Sequence, residues 1–477
     1  MPNHFIAALG TSCYNTCNYQ LNNKTVKTSF VQEALLNVLG FGEGDKATIL
    51  LTDSARKINW EDSTYNANNI LTLQRFASEG EALPAEGDKK KGLHSILQRK
   101  FPSIPVKDIT IPDGKTEDEI WRTFEIVYEQ ISENDVIYFD ITNGFRSLPM
   151  LAMTILSYSK ALKNVTIKGI YYGALEAKDK STGIVPVFDL TACNDIIDWT
   201  VAADSFIHYG NSDRIGELCK NSSDKAFTRA WKNKLRKVVN LTNCIETSRG
   251  MEKDDVTNKK NSIKKAYIDF KNSPLQVQNS DNVEKIVLPL YEKIEKRAAV
   301  FDKKSNFEIG MATVEWSIQN GMIQQGFTAL QETIKTFLCN QYGIGENDFD
   351  TRELVVANVL NTIKRCNNAM KNEINSVSLR EQALEEEKAY QELWKYLCNE
   401  ETEECVRTCK DKARQLAFEV PKSLVALYGE ISDYRNDMNH FGFKKQPNKP
   451  DTLHKKLENC YHQVCGIVNN YEEQKLK

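Results

Sequence analysis

Over the first 200 or so residues short apolar runs alternate with amphipathic helical stretches, and beyond that point runs of strand length cease. This change of period constrains the fold more than any other feature. A two-residue period that keeps handing over to a 3.6-residue period builds a parallel sheet with helices on its faces. A long stretch of helical period alone packs helix on helix. Candidate strands are His4 to Leu9, Thr48 to Leu51, Val136 to Ile141, Val165 to Tyr172 and Ile184 to Phe188. One helix is expected from Thr116 to Ile131, with Thr116 and Glu119 as a capping box and Ile120, Trp121, Phe124, Val127, Tyr128 and Ile131 on one face. Another is expected from Ser147 to about Leu162, with Pro149 in its first turn.

The second part reads as helix nearly to its end. Helices are expected at Met322 to Leu338 and Leu354 to Met370, and a pair of charged surface helices between Leu379 and Leu416. The polar stretch Ser248 to Lys265 reads as a loop or a solvated helix edge. A chain of 477 residues is long enough for two or three domains, each with its own core.

Charge sets a limit on function. Sixty-two basic against sixty-five acidic side chains leave a formal charge of -3, so any field that attracts nucleic acid must be local. No apolar stretch approaches membrane-spanning length and no export signal stands out, so the expectation is a cytoplasmic protein with no membrane contact. The twelve cysteines then read as reduced, mostly buried thiols.

The run Val136-Ile-Tyr-Phe-Asp140-Ile-Thr142-Asn143-Gly144-Phe145-Arg146-Ser147-Leu-Pro149 places a strand, a polar turn and a helix start in succession. In an open α/β sheet ligands bind beyond the carboxyl ends of the strands, where a helix N-terminus offers unpaired N–H groups to an anion. Gly10-Thr11-Ser12 and Thr52-Asp53-Ser54 deliver glycine, hydroxyls and a carboxylate at two more strand ends. Any strand-to-helix turn uses such residues, but three turns on one sheet point to a phosphate-bearing ligand. No G-x-G-x-x-G follows the first strand, which argues against a dinucleotide cofactor.

Asp140 to Pro149 resembles the D-x-T-H-G motif, followed by F-R-S-x-P, of the CRISPR-associated Rossmann-fold (CARF) sensors. Asn143 stands where that family commonly has histidine; it can still hydrogen-bond phosphate or ribose but cannot titrate near neutral pH. The resemblance implies a Rossmann-like sensor over residues 1–200 that binds a cyclic oligoadenylate across the two-fold axis of a homodimer. The ligand residues would be Gly10, Thr11, Ser12, Thr52, Asp53, Ser54, Thr142, Asn143, Gly144 and Arg146. Cyclic tetra-adenylate is favoured over hexa-adenylate on resemblance alone.

Near the far end stands Asp433-Tyr434-Arg435-Asn436-Asp437-Met438-Asn439-His440. An arginine and a histidine five positions apart form a weak pattern alone. With Asn436 after the arginine, in a helical region downstream of a sensor, the run resembles the R-x-x-x-x-H motif of HEPN ribonucleases. Trp316 to Glu332 resembles the helix preceding the catalytic one. The implied architecture is an all-α HEPN domain at 306–477, joined to the sensor by a helical connector at 201–305. The implied activity is a cyclic-oligoadenylate-activated endoribonuclease of CRISPR defence that acts on single-stranded RNA without a cofactor or metal and leaves a 2′,3′-cyclic phosphate.

The chemistry suits the residue types. Attack of an RNA 2′-hydroxyl on the adjacent phosphodiester needs a proton carrier, for which histidine is apt, and a permanent cation for the developing charge, for which arginine is apt. On one helix a five-residue offset turns Arg435 and His440 about 140° apart, so a site composed from two copies is the simpler geometry. Asn436 would orient substrate or histidine, and Lys444 and Lys445 would supply a local positive field. A zinc site from Cys398, Cys405, Cys409, Cys460, His462 and Cys465 lacks the usual C-x-x-C core. The rival readings are a ring nuclease that degrades its own activator, a catalytically silent sensor or scaffold, and, more weakly, a DNA-binding regulator, for which no helix-turn-helix signature or basic surface stands out.

Overall fold

The computed structural model describes residues 2–75, 77, 82–220, 229–250, 262–273, 282–366, 377–399, 401–443 and 445–475. Its described residues fall into two compact units that divide between Ile197 and Asp198.

The first unit is an eight-stranded sheet flanked by helices. Its strands are β1 (Asn3–Leu9), β2 (Cys17–Leu21), β3 (Lys24–Thr28), β4 (Lys46–Leu51), β7 (Val106–Thr110), β8 (Val136–Asp140), β9 (Thr166–Gly173) and β10 (Ile184–Asp189), in the order β3-β2-β10-β9-β8-β1-β4-β7. A separate two-stranded ribbon pairs β5 (Ser63–Thr64) with β6 (Lys89–Lys90). From β1 the chain first makes β2 and β3 at the far margin, returns to lay β4 and β7 on one side of β1, and then builds β8, β9 and β10 on the other. Strand order therefore reverses between β1 and β8, which run parallel with Ala7 opposite Asp140. β4 is parallel to β1 with Leu9 opposite Leu51, so the turns after all three strands lie at one edge.

β1 is buried on both faces, as a central parallel strand must be. Phe5, Ala7 and Leu9 pack with Phe30, Val31 and Leu35 around α1 (Val31–Leu39), and with Leu93 and Leu97. Ile6 and Ala8 pack with Val127 of α4 (Glu117–Gln130) and with Leu148, Ala152 and Ile155 of α5 (Leu148–Lys163). Between α1 and α4 the chain also forms α2 (Ala67–Gln74) and α3 (Leu93–Lys100).

The sheet is mixed, where a parallel one was expected: β10 runs antiparallel to β9, and β2 and β3 form an antiparallel hairpin. Thr116 accepts from the Glu119 amide at 3.2 Å, but the Glu119 carboxylate turns to the Lys115 amide, so the expected reciprocal box is half made. Trp121, placed on the packing face by periodicity, is 54% exposed.

The second unit is helical: α6 (Thr191–Tyr209) crosses the boundary and is followed by α7 (Asp213–Lys220), α8 (Arg229–Glu246), α9 (Ile263–Lys271) and α10 (Asn282–Ala298). Then come α11 (Asn306–Gln319), α12 (Ile323–Tyr342), α13 (Asn358–Arg365), α14 (Val377–Glu385), α15 (Lys388–Cys398), α16 (Glu404–Thr408), α17 (Lys410–Glu419), α18 (Lys422–Asn439) and α19 (Pro450–Lys475). Phe327, Leu330, Ile334 and Leu338 of α12 sit in a core closed by Leu424, Ile431, Leu457 and Val464.

Two sequence expectations change here. Residues 379–416 form four helices, not a surface pair, because Leu384, Leu393, Leu397 and Leu416 enter the core. The helix expected from Leu354 begins as a widened turn at Thr351–Ala357 and continues as α13, while 367–370 lie outside the described residues. Of the stretch Ser248 to Lys265, residues 251–261 are also outside them, and Ser262 caps α9 by accepting from the Lys265 amide at 3.1 Å. Among the described residues, no disulfide joins the twelve cysteines, no cluster of metal-ligating side chains is present, and no helix is long and apolar enough to cross a membrane.

Candidate functional sites at the sheet edge and the helix end

At the carboxyl edge of the sheet, the end of β8 is held by its own carboxylate. Asp140 is fully buried and accepts from the Thr142 amide at 2.9 Å and the Thr142 hydroxyl at 2.5 Å through one oxygen. Gln32 of α1 donates to the other at 3.2 Å and to the Ala8 carbonyl at 2.9 Å, tying β8 to β1 across the switch point. The Thr142 hydroxyl in turn accepts from the Gly173 amide at 2.8 Å, which brings in the end of β9. Burial pushes the Asp140 carboxyl up to about 6, against the opposing pull of the Thr142 and Gln32 hydrogen bonds.

Asn143 and Gly144 follow Thr142 at the strand reversal. A Cβ built on Gly10 would lie 3.7 Å from the Asn143 Cβ, so the first and third turns touch. Gly144 has φ +118°, and a Cβ there would lie 2.5 Å from Leu148 Cδ2 and 3.4 Å from the Ala8 Cβ. Only glycine fits, for backbone and packing reasons together. α5 then starts at Ser147 with no side-chain cap and no acidic residue in its first turn, but the Leu148 amide is taken by the Phe145 carbonyl at 2.9 Å and Pro149 has no N–H. Arg146 is exposed beside it.

The other two turns lie alongside. Thr11 and Ser12 are exposed, and so are Asp53 and Ser54. Thr52 caps a single helical turn, accepting from the Ala55 amide at 3.2 Å, and the chain continues as a widened turn over Arg56–Trp60. Asn59 in that turn reaches back to the first one, donating to the Gly10 carbonyl at 2.8 Å and the Ser12 carbonyl at 2.7 Å. The ten residues expected at a ligand site thus share one edge, around the strand reversal. Sequence reasoning did not name Tyr14, whose hydroxyl accepts from the Gly10 amide at 2.9 Å, nor Gln32, Asn59 and Gly173. None of these carries a local motif; only Asp140 was visible, as part of the run that held it.

In the helical unit Arg435 and Asn436 lie in the last turns of α18 and His440 is its C-cap. The His440 amide donates to the Asn436 carbonyl at 3.0 Å, so helical geometry holds up to the histidine and the wide angular separation from Arg435 stands. The Phe441 amide bonds the Met438 carbonyl and the Gly442 amide the Asp437 carbonyl, each at 3.0 Å, which is a Schellman ending. Its left-handed position is taken by Phe441 at φ +56° in place of the usual glycine.

Arg435 is fixed from α12: its Nη1 donates to Oε1 of the buried Gln331 at 2.9 Å. Asn436 and His440 are exposed, and the rings of Phe441 and Phe443 are 91% and 89% exposed. Asn439 accepts from Gln324 at 2.9 Å, a second tie between α12 and the end of α18. Lys445 is exposed, and Lys444 lies outside the described residues.

Comparison with known proteins bears on both units. Residues 4–176 match the family model described as CRISPR system endoribonuclease Csx1, CARF domain. Residues 195–303 match that of CRISPR-associated protein MJ1674, second domain. The chain is 29% identical over 236 residues to CRISPR-associated protein MJ1674 of Methanocaldococcus jannaschii, an alignment that covers 48% of this chain and 34% of that protein.

Proposed function

We propose that this chain, a CRISPR-associated protein containing a CARF domain, is a homodimeric endoribonuclease that cuts single-stranded RNA when a cyclic oligoadenylate occupies the sheet edge. The observation that carries the sensor half is the convergence of three turns at the strand reversal, with Thr11, Ser12, Asp53, Ser54 and Arg146 exposed there. Such an edge suits a ligand with several phosphates. The exposed face of α5, with Met150, Tyr158 and Leu162 at 79%, 46% and 56%, lies directly behind the 142–146 turn. A second copy packed on it would bring two such edges together around one ring.

The effector half rests on Arg435, Asn436 and His440 at the end of α18, in a domain we read as HEPN from residue 306 onward, after a helical connector at 201–305. Arg435 would stabilise the charge on the phosphate, and His440 would carry the proton from the 2′-hydroxyl or to the leaving oxygen. Asn436 would orient one of them. The exposed rings of Phe441 and Phe443 offer faces on which unstacked bases can lie. A ring held better in one arrangement of the dimer than in another would shift the pair of α18 ends toward a competent site.

The test is RNA cleavage by the full chain with and without cyclic tetra-adenylate and cyclic hexa-adenylate, in EDTA. Ring-dependent cleavage that leaves a 2′,3′-cyclic phosphate is expected, and the tetra-adenylate is the first probe. Cleavage that needs added magnesium or manganese would overturn the mechanism, and no cleavage with either ring would reduce the chain to a sensor.

A further inference from the structure

The Gly10-Thr11-Ser12 turn is shaped from below by two residues that reach it from other elements. Asn59 is fully buried, and its Nδ2 holds the carbonyls of Gly10 and Ser12 together. Its Oδ1 accepts from Lys90 Nζ at 2.8 Å, which leaves the amide only one way round. Lys90, on β6 and 5% exposed, also donates to the Ile58 carbonyl at 2.6 Å. Among the described residues no carboxylate pairs with it.

Two consequences follow from elementary geometry and charge. In a trans peptide the C=O of one residue and the N–H of the next point in opposite directions, and the chain has no cis bond among its described residues. Drawing the Gly10 and Ser12 carbonyls onto Asn59 therefore turns the N–H groups of Thr11 and Cys13 the other way. Among the described residues neither of those N–H groups donates to a backbone carbonyl. Beneath them sits a buried ammonium with neutral partners only, so its field is not cancelled locally and acts through low-dielectric surroundings. Both features favour a negative group on the turn.

We infer that Asn59 and Lys90 are positioning residues that make the Gly10–Ser12 turn a receptor for one phosphodiester group, through the N–H groups of Thr11 and Cys13. The inference rests on the sensor reading and adds to it the residues that orient one of its three turns. Neither residue touches the ligand.

The experiment titrates the full chain calorimetrically with cyclic tetra-adenylate for wild type, Lys90→Met, Lys90→Arg and Asn59→Asp. In parallel, hydrogen exchange of the 10–13 peptide is followed with inorganic pyrophosphate as the only anion. Lys90→Met and Asn59→Asp are expected to bind the ring at least about tenfold more weakly, and Lys90→Arg to recover most of the loss, because charge and donor geometry are what is removed. Pyrophosphate should slow exchange in wild type and not in Lys90→Met. Asn59→Asp keeps side-chain size and pairs with Lys90, so it carries the test if Lys90→Met does not fold. Ring affinities of both variants within about twofold of wild type overturn the inference and leave the sensor reading standing. A wild type that binds no ring but shows Lys90-dependent protection by pyrophosphate overturns the sensor reading and leaves the anion-receptive turn standing.

Discussion

Replacing Asp140 by asparagine should remove a pH dependence that this one carboxylate imposes on the sheet. Asp140 is fully buried, and desolvation raises its carboxyl from 3.8 to about 6 although Thr142 and Gln32 hydrogen-bond its charged form. A group whose folded pKa is raised contributes stability that is present below its unfolded pKa and lost as pH rises through the folded one. The window therefore runs from about pH 4 to about pH 6, and two units at about 1.4 kcal/mol each give a loss of about 3 kcal/mol. His4 acts in an overlapping range with the opposite sign, since burial lowers its pKa and its neutral form is lost as pH falls. Comparing Asp140→Asn with wild type cancels the histidine. The assay is hydrogen exchange of β1 and β8 amides in the full chain at several pH values across that window. The variant should gain on wild type by about 3 kcal/mol between the acid and neutral ends. A difference that stays constant with pH would show that Asp140 does not ionise within the window and refute the reasoning.

Four further outcomes are expected. His440→Ala and Arg435→Ala should each lower ring-stimulated RNA cleavage by about 10²-fold or more with ring affinity unchanged, and a histidine variant above about a tenth of wild-type rate would remove it from the mechanism. Gln331→Leu should leave Arg435 without its acceptor on α12 and cost about tenfold in cleavage rate at saturating ring with little change in KM for RNA, as single-turnover assays would show. Asn143→Ala should shift the activation curve to higher ring concentration with a recoverable maximum. Gly144→Ala should also destabilise the domain by about 1–3 kcal/mol in urea unfolding, because its Cβ meets Leu148 at a left-handed backbone. Gly144→Trp would therefore confound ligand access with folding, and Asn143→Ala is the cleaner probe.

Much of this organisation was legible because burial and period agree. β1, β4, β8, β9 and β10 stood out as apolar runs, and the turn after β8 as a long specific string. The β2–β3 hairpin was missed although Asn22-Asn23, at φ 49° and 63°, is a two-residue turn of the mirror-image kind that hairpins favour. A pair of asparagines without glycine is a quiet signal, and Lys24-Thr-Val-Lys-Thr28 is too polar to read as a strand. β7 escaped for the same reason, since two of the five residues in Val106-Lys-Asp-Ile-Thr110 are charged. Nothing local marks Asn59 or Lys90: a lysine in the run 89–91 reads as solvated, and only the tertiary fold buries the middle one. Likewise Leu384, Leu393 and Leu397 sit among so many charges that the core they enter was invisible.

The same polar strands that hid β3 and β7 from view are the two margins of the sheet. Lys24 and Lys27 are exposed on one margin, and on the other Lys107 is tied to Gln130 and Asp108 to Arg56, so an incoming strand would have to bury or unpair charge. Desolvating them would cost more than a few ladder hydrogen bonds return, so each margin works as a stop against open-ended growth. Strand addition is thereby disfavoured at both margins of this sheet, whatever else the domain meets.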